Sequence, residues 1–228
     1  MTRDGDAPAP AEGLAILRRL IAGNRRFAEG RLEHPHLDPG RRREVSAGQD
    51  PDAIVVTCSD SRVAAEALFD AGLGDIFTIE NAGNQVLARG RETSLELASI
   101  EYMASHYLRT ARCGVLLVMA HTHCGAVAAA LETPAGASAG SPHLDLLVCT
   151  IRAGLPAAVQ ADPGPGHRHA VAANAEAVLQ SVLEHSDIVR RAVDRGHLLA
   201  LSATYDLEAG RVAFPGALAA AAMGGDAP

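Results

Sequence analysis

Tryptophan is absent, aromatic residues make up 3% of the chain, and 228 residues contain only four cysteines. With so few bulky rings the core has to be filled by aliphatic and small side chains, as when Ala-rich helices pack closely on a sheet. Four cysteines in a chain of this length exclude a disulfide framework, and two of them sit at metal-ligand spacing, so a reducing compartment is expected. A basic stripe is missing too: the formal net charge is −7 and the sequence pI about 5.8, which excludes a nucleic-acid backbone or an anionic membrane surface as the partner. No apolar run approaches the roughly 20 residues that span a bilayer. The opening Met1–Pro10 has no apolar core of the kind a secretory signal needs, and no internal repeat is visible. These absences point to a soluble, cytoplasmic protein that acts on small molecules.

What is there is ordinary globular material, 48% hydrophobic and 21% charged. A single domain of this size buries roughly 70% of its unfolded surface. The expected layout is a disordered stretch over residues 1–10, one domain over 11–216, and a flexible Ala/Gly-rich tail over 217–228.

Leu14, Ile16, Leu17, Leu20, Ile21 and Phe27 recur at helical spacing up to a stop at Gly30. This amphipathic helix precedes the first strand, so it need not belong to the sheet's own layers and could pack on another subunit. A surface connection with one helical turn follows, carrying Arg41-Arg42-Arg43. Strands are expected at Ile54–Thr57, Ile76–Ile79 and Val115–Ala120, separated by a short helix near Val63–Phe69 and a long one from about Glu92 to Leu108. That alternation implies right-handed parallel crossovers. Helices follow from Gly125, over about Leu144–Gln160, and, past the Asp162–Gly166 breaker, near Ala170–Glu184 and Asp187–Arg195. Leu198–Tyr205 then pairs with Val212–Phe214 as an antiparallel edge. The fold class is therefore α/β: a central, mostly parallel sheet with an antiparallel C-terminal edge, flanked by helices.

Two apolar strands end in reactive side chains. Ile54–Thr57 runs into Cys58-Ser59-Asp60-Ser61-Arg62, and Val115–Ala120 runs into His121-Thr122-His123-Cys124. In open α/β sheets ligands gather outside the carboxyl ends of strands, so neighbouring strands would bring Cys58, His121 and Cys124 together. Two thiolates and one imidazole with room for a fourth ligand form a catalytic type of zinc set, since structural sites normally close with four protein ligands. The formal charge of such a complex is zero, so its bound water is acidified less than by three imidazoles, and help from a neighbour is expected. Asp60 is placed to be either a fourth ligand or a hydrogen-bond acceptor, and Arg62 to anchor it in a bidentate pair that depresses its pKa.

CSDSRV followed at a distance by HTHCGAV closely resembles the β-class carbonic anhydrases, with their Cys-x-Asp-x-Arg and His-x-x-Cys-Gly motifs. Further similarities lie at Ala47-Gly48-Gln49, Asp75-Ile76-Phe77, Asn81-Ala82-Gly83-Asn84, Tyr205-Asp206-Leu207 and Gly210-Arg211-Val212, so the resemblance runs from about Leu14 to Phe214. It implies a lyase in which zinc-bound hydroxide hydrates carbon dioxide reversibly to bicarbonate and a proton. The implied zinc ligands are Cys58, His121 and Cys124, with Asp60 as conditional fourth ligand or acceptor for the hydroxide and Arg62 as its anchor. Gln49 is implied as a donor to bicarbonate, Phe77 and Ala82 as the apolar wall for carbon dioxide, and the Gly125 amide as a second donor. The pocket would lie between two subunits, embraced by N-terminal helices, making a homodimer or a tetramer of two dimers. Relatives with the same zinc set hydrolyse carbonyl sulfide or carbon disulfide, and a weakly catalytic regulatory homologue is a further alternative.

Glu80 stands where the family usually has arginine, and Val55 where members inhibited by bicarbonate at a second pocket have tryptophan. That pocket is expected to be absent, with Glu80 paired to one of Arg41–Arg43. Ala120 replaces the usual glycine, a tolerable change unless the position needs positive φ. His123 is expected to point away from the ligands, Cys113 and Cys149 to be small core residues, and His167 and His169 to face solvent.

Overall fold

The computed structural model describes residues 11–223, so the stretch 1–10 expected to be disordered lies outside the described residues. The elements in chain order are α1 (Ala11–Ala28), α2 (Pro39–Val45), β1 (Ala53–Cys58), α3 (Ala65–Leu68), β2 (Ile76–Asn81), α4 (Leu95–Thr110), β3 (Gly114–His121) and α5 (Gly125–Glu132). They continue with α6 (Pro142–Gly154), α7 (Ala157–Ala161), α8 (Arg168–His185), α9 (Asp187–Asp194), β4 (Leu198–Asp206), β5 (Arg211–Ala213) and α10 (Gly216–Ala222). The helix starts were written as hydroxyl caps: Ser94, Ser141 and Ser186 accept from the amides of Leu97, Leu144 and Val189.

The sheet order is β2-β1-β3-β4-β5, with the first four strands parallel and β5 antiparallel on β4. From β1 the chain goes outward to β2 and then returns to place β3 on the other side of β1. The point of reversal therefore lies between β1 and β3, where doubly wound sheets open a crevice at their carboxyl ends. β1 and β3 are buried along their whole length, which is why both read as unbroken apolar runs rather than alternating ones.

Each face of the sheet has its own core. Ile54, Val56, Leu116 and Val118 pack with α4, α5, α6, α8 and α9. Val55, Val115, Leu117, Leu199 and Leu201 pack with α1, α3 and α10. α1 is therefore seated on its own sheet. The reason is physical: a parallel sheet needs both faces covered, and Ile16, Leu17 and Leu20, at 2%, 0% and 7% exposure, supply that cover at about 1.5–3 kcal/mol each. α1 also approaches closely enough that a Cβ on Gly23 would lie 1.9 Å from the Phe69 carbonyl oxygen. Next to it the buried Asn24 amide donates to the carbonyls of Leu68 and Gly210 and accepts from the Val212 amide at 2.8 Å.

Two boundaries differ from expectation. The helix expected to run to Gln160 divides at Pro156, because proline has no amide to continue the ladder and Leu155 before it turns extended, with ψ 125°. The tail expected to be flexible over 217–228 lies outside the described residues beyond 223; its first part, Ala217–Ala222, forms most of α10, which packs on α1, buries Ala222 and receives a hydrogen bond from Arg18 on the Ala222 carbonyl.

Candidate metal centre

Cys58 ends β1, His121 ends β3 and Cys124 caps α5, so the strand pairing that aligns Thr57 with Met119 carries all three to one end of the sheet. Their ligand atoms lie within 4.8 Å of one another, and all three residues are buried. Among the described residues no other group of His, Cys, Asp or Glu is arranged to hold a metal.

The imidazole is fixed for ligation. His121 Nδ1 donates to the Thr122 carbonyl at 2.9 Å, which sets the tautomer and leaves Nε2 bare toward the thiols. That Nε2 is fully buried and has no hydrogen-bond partner, a costly state for a polar atom unless a metal fills the place. The thiols are prepared as well. Cys58 is pulled well below an ordinary thiol because Cys124 donates to it, with the backbone amides of Gly83 and Asp60 adding to the effect. Cys124 is correspondingly pushed up by the shared proton and by burial, against the pull of the Val127 and Ala126 amides in the first turn of α5. Two thiolates with one imidazole fit a divalent zinc ion.

Asp60 faces this cluster across a short gap, its Oδ2 lying 3.8 Å from His121 Nε2. Both carboxylate oxygens are held by Arg62, from Nε at 2.8 Å and Nη2 at 2.7 Å, with the Arg62 amide at 3.0 Å. That guanidinium and amide keep Asp60 far below the usual carboxylate range. Arg62 in turn donates to the His123 carbonyl at 3.2 Å, tying the first motif to the second.

The remaining residues divide by position. Ala82 follows β2 and lines an open groove of about 320 Å³ with Gln85, Val86 and Leu147. Gly125 begins α5, and nothing lies within 4 Å of where its Cβ would be. Phe77 pairs with Ile54 while Asn81 pairs with Cys58, so Phe77 lies about 13 Å from the ligand end, at roughly 3.3 Å per strand residue. Gln49 is exposed and precedes β1 at that same far end. One chain therefore brings together Cys58, Asp60, Arg62, Ala82, His121, Cys124 and Gly125, and leaves Gln49 and Phe77 apart.

Several smaller expectations can be settled. His123 takes a left-handed φ of 58° and turns its ring to Glu208, away from the ligands. Ala120 lies inside regular strand at 1% exposure, with no positive φ, so the usual glycine is not required. Cys113 is buried as expected, but Cys149 is exposed on α6. His169 faces solvent, while His167 is half-buried. Glu80 does not pair with Arg41–Arg43. Arg41 is occupied by Asp75, Glu44 and the Leu73 carbonyl, and Glu80 sits beside Glu66, where burial first and that like charge second raise its carboxyl. Sequence reasoning missed Asn174, a polar residue on the buried stripe of α8 defined by Val171, Ala175, Val178 and Val182.

A doubly wound sheet thus carries at its switch point a buried Cys-His-Cys cluster that could hold a metal ion, flanked by an Asp-Arg pair. The family described as carbonic anhydrase matches residues 53–212. Carbonic anhydrase 2 of Mycobacterium tuberculosis is 41% identical over 118 residues, which cover 52% of each chain. The carbonic anhydrase of Pseudomonas aeruginosa is 31% identical over 181 residues, covering 75% of this chain and 76% of that one. Against the first of these the chain spans about half the relative's length. The solved β-carbonic anhydrase CcaA superposes with a TM-score of 0.65 at 26% identity, covering 86% of this chain and 93% of that chain. This chain belongs to the β-class carbonic anhydrase family.

Proposed function

We propose that the protein is a zinc-dependent carbonate dehydratase, a lyase interconverting carbon dioxide and water with bicarbonate and a proton. The observation that carries this reading is the bare, buried His121 Nε2 between two thiols, with an ionised Asp60 held 3.8 Å away by Arg62.

Zinc held by Cys58, His121 and Cys124 supplies the positive charge that makes water nucleophilic near neutral pH. Asp60 accepts a hydrogen bond from the reacting water and so turns its lone pair toward the carbon. Arg62 engages both Asp60 oxygens, which keeps the carboxylate off the fourth ligand position; release from Arg62 would let Asp60 close that position. The Gly125 amide, free at the first turn of α5, donates to an oxygen of bicarbonate. Ala82 contributes the apolar side on which carbon dioxide rests.

Gln49 and Phe77 complete the site only from a second copy of the chain. Support comes from their place at the far end of the sheet, from β2 standing unpaired on its outer side among the described residues, and from Leu95 and Tyr102 on α4, which are 84% and 60% exposed. The working unit is a homodimer or a tetramer of two dimers. Four free thiols, two of them ligands, suit the reducing cytoplasm. No helix among the described residues is long and apolar enough to cross a membrane.

The test is stopped-flow carbon dioxide hydration on metal-quantified protein from about pH 6.5 to 9, a window around the near-neutral pKa of catalytic zinc sites, with carbonyl sulfide hydrolysis on the same sample. Fast hydration at one zinc per chain is expected. Bound zinc with negligible hydration at every pH would overturn it, and the sulfide result would then separate an altered substrate from a non-catalytic homologue.

A further inference from the structure

Cys58 is steadied from outside its own strand. The Gly83 amide donates to Cys58 Sγ at 3.4 Å. Gly83 sits in a turn with a φ of 71°, packed so tightly that a Cβ there would lie 2.8 Å from Ile151 Cδ1 and 3.2 Å from Ala126 Cβ. Its backbone direction, and hence the aim of its amide, depends on what grips its carbonyl.

Two side-chain amides do so. Gln85 Nε2 donates to the Gly83 carbonyl at 2.8 Å and Asn174 Nδ2 donates to it at 3.0 Å. Gln85 Nε2 also donates to Asn174 Oδ1 at 2.9 Å, and Asn174 Nδ2 reaches Asn84 Oδ1 at 3.3 Å. Asn174 is 1% exposed in the middle of α8, among Ala170, Val171, Ala175 and Val178. A carboxamide there costs about 1–3 kcal/mol if left unbonded, and helix formation does not call for it. Every hydrogen bond of this side chain is spent on the 83–85 turn, and the bond leaving that turn toward the cluster ends on the Cys58 sulfur.

We propose that Asn174 is a positioning residue for the metal centre: by gripping the Gly83 carbonyl it keeps the Gly83 amide on Cys58 Sγ and so sets how strongly that sulfur donates to the metal. An N–H···S bond draws electron density from a thiolate, so a sulfur that loses it becomes a stronger and less well-directed donor. The proposal rests on the reading that zinc occupies the cluster.

Cobalt(II) in place of zinc gives a direct readout, because the sulfur-to-cobalt charge-transfer band reports the thiolates without any assay of turnover. Asn174→Asp keeps the shape and the acceptor for Gln85 but removes the Nδ2 donor; Gln85→Leu, at a half-exposed position, removes the other donor to Gly83, and with it the bond to Asn174 Oδ1, with no substitution in α8. Both variants should shift that band and weaken zinc binding in chelator competition by about 10–100-fold, as loss of outer-shell partners does. Val182→Ala, an equally buried change on the same helix, should lower thermal stability and move neither. Wild-type band and affinity in Asn174→Asp and Gln85→Leu would overturn the proposal, as would an equal shift in Val182→Ala. If the wild-type protein takes up neither cobalt nor zinc at one per chain, the zinc reading itself falls, a result distinct from an unresponsive variant.

Discussion

Asp60 and Arg62, two residues apart, are locked together by two nearly parallel hydrogen bonds of 2.8 and 2.7 Å, while Asp60 Oδ2 stands 3.8 Å from His121 Nε2. Replacing Asp60 by Asn keeps the shape and removes the charged acceptor. Hydration should fall by about 10²–10³-fold in kcat/KM, with one zinc per chain retained. Unchanged turnover in Asp60→Asn would mean that the pair is not catalytic. Arg62→Gln should fall at least as far, since it both loses the anchor and frees Asp60 to reach the metal.

The pH dependence has a definite sign. Arg62 holds the Asp60 carboxyl far below its usual range, so Asp60 is ionised throughout the working window and contributes no limb to the profile. On the proposed reading the reactive form is the deprotonated water, so kcat/KM should rise with pH through a single ionisation near about pH 7–8. A profile flat from about pH 6.5 to 9 in the wild-type protein would show that water activation is not the limiting ionisation.

Stability in acid should depend on Asp70. This residue is 5% exposed with a left-handed φ of 47°. Its carboxylate accepts from the amides of Glu33 and His34 and pairs with Arg26 at 2.5 Å, pinning the segment after α1 to the end of α3. Burial disfavours the charged form, but those amides and Arg26 outweigh it and the carboxyl titrates below its usual value. The associated stability is complete above the unfolded value of about 3.9 and is lost as pH falls through the lower folded value. Asp70→Ala should therefore lower unfolding free energy by about 2–4 kcal/mol at neutral pH. Asp70→Asn should show a shallower acid limb than the wild type in urea denaturation followed against pH.

The strands β1 and β3 and the ligand set were legible because burial on both faces writes an uninterrupted apolar run and metal chemistry restricts residue type. Features decided by tertiary contact were not. Ala217–Ala222 has a composition that fits a frayed tail as well as a helix, and the surface of α1 decides between them. Glu80 invited an arginine partner by charge alone, yet it sits at the carboxyl end of β2 while Arg41 is bound to Asp75 at the amino end. Asn174 carried a signal that was overlooked: a carboxamide at i+3 from Val171, on a stripe that is otherwise Ala and Val, marks a buried polar bond rather than a solvated face.

The position of Gln49 makes the strongest claim about assembly, because in one chain it and Cys58 lie at opposite ends of β1. If Gln49 serves the neighbour's metal centre, Gln49→Ala and Asp60→Asn damage different halves of the same composite site. Each homodimer alone should be weak. After unfolding and refolding the two variants together, each hybrid dimer has one site with both defects and one site with neither. Random pairing makes about half the dimers hybrid and returns about a quarter of wild-type activity. Activity no higher than the average of the two separate variants, with hybrids verified by native mass spectrometry, would place Gln49 outside the partner's site.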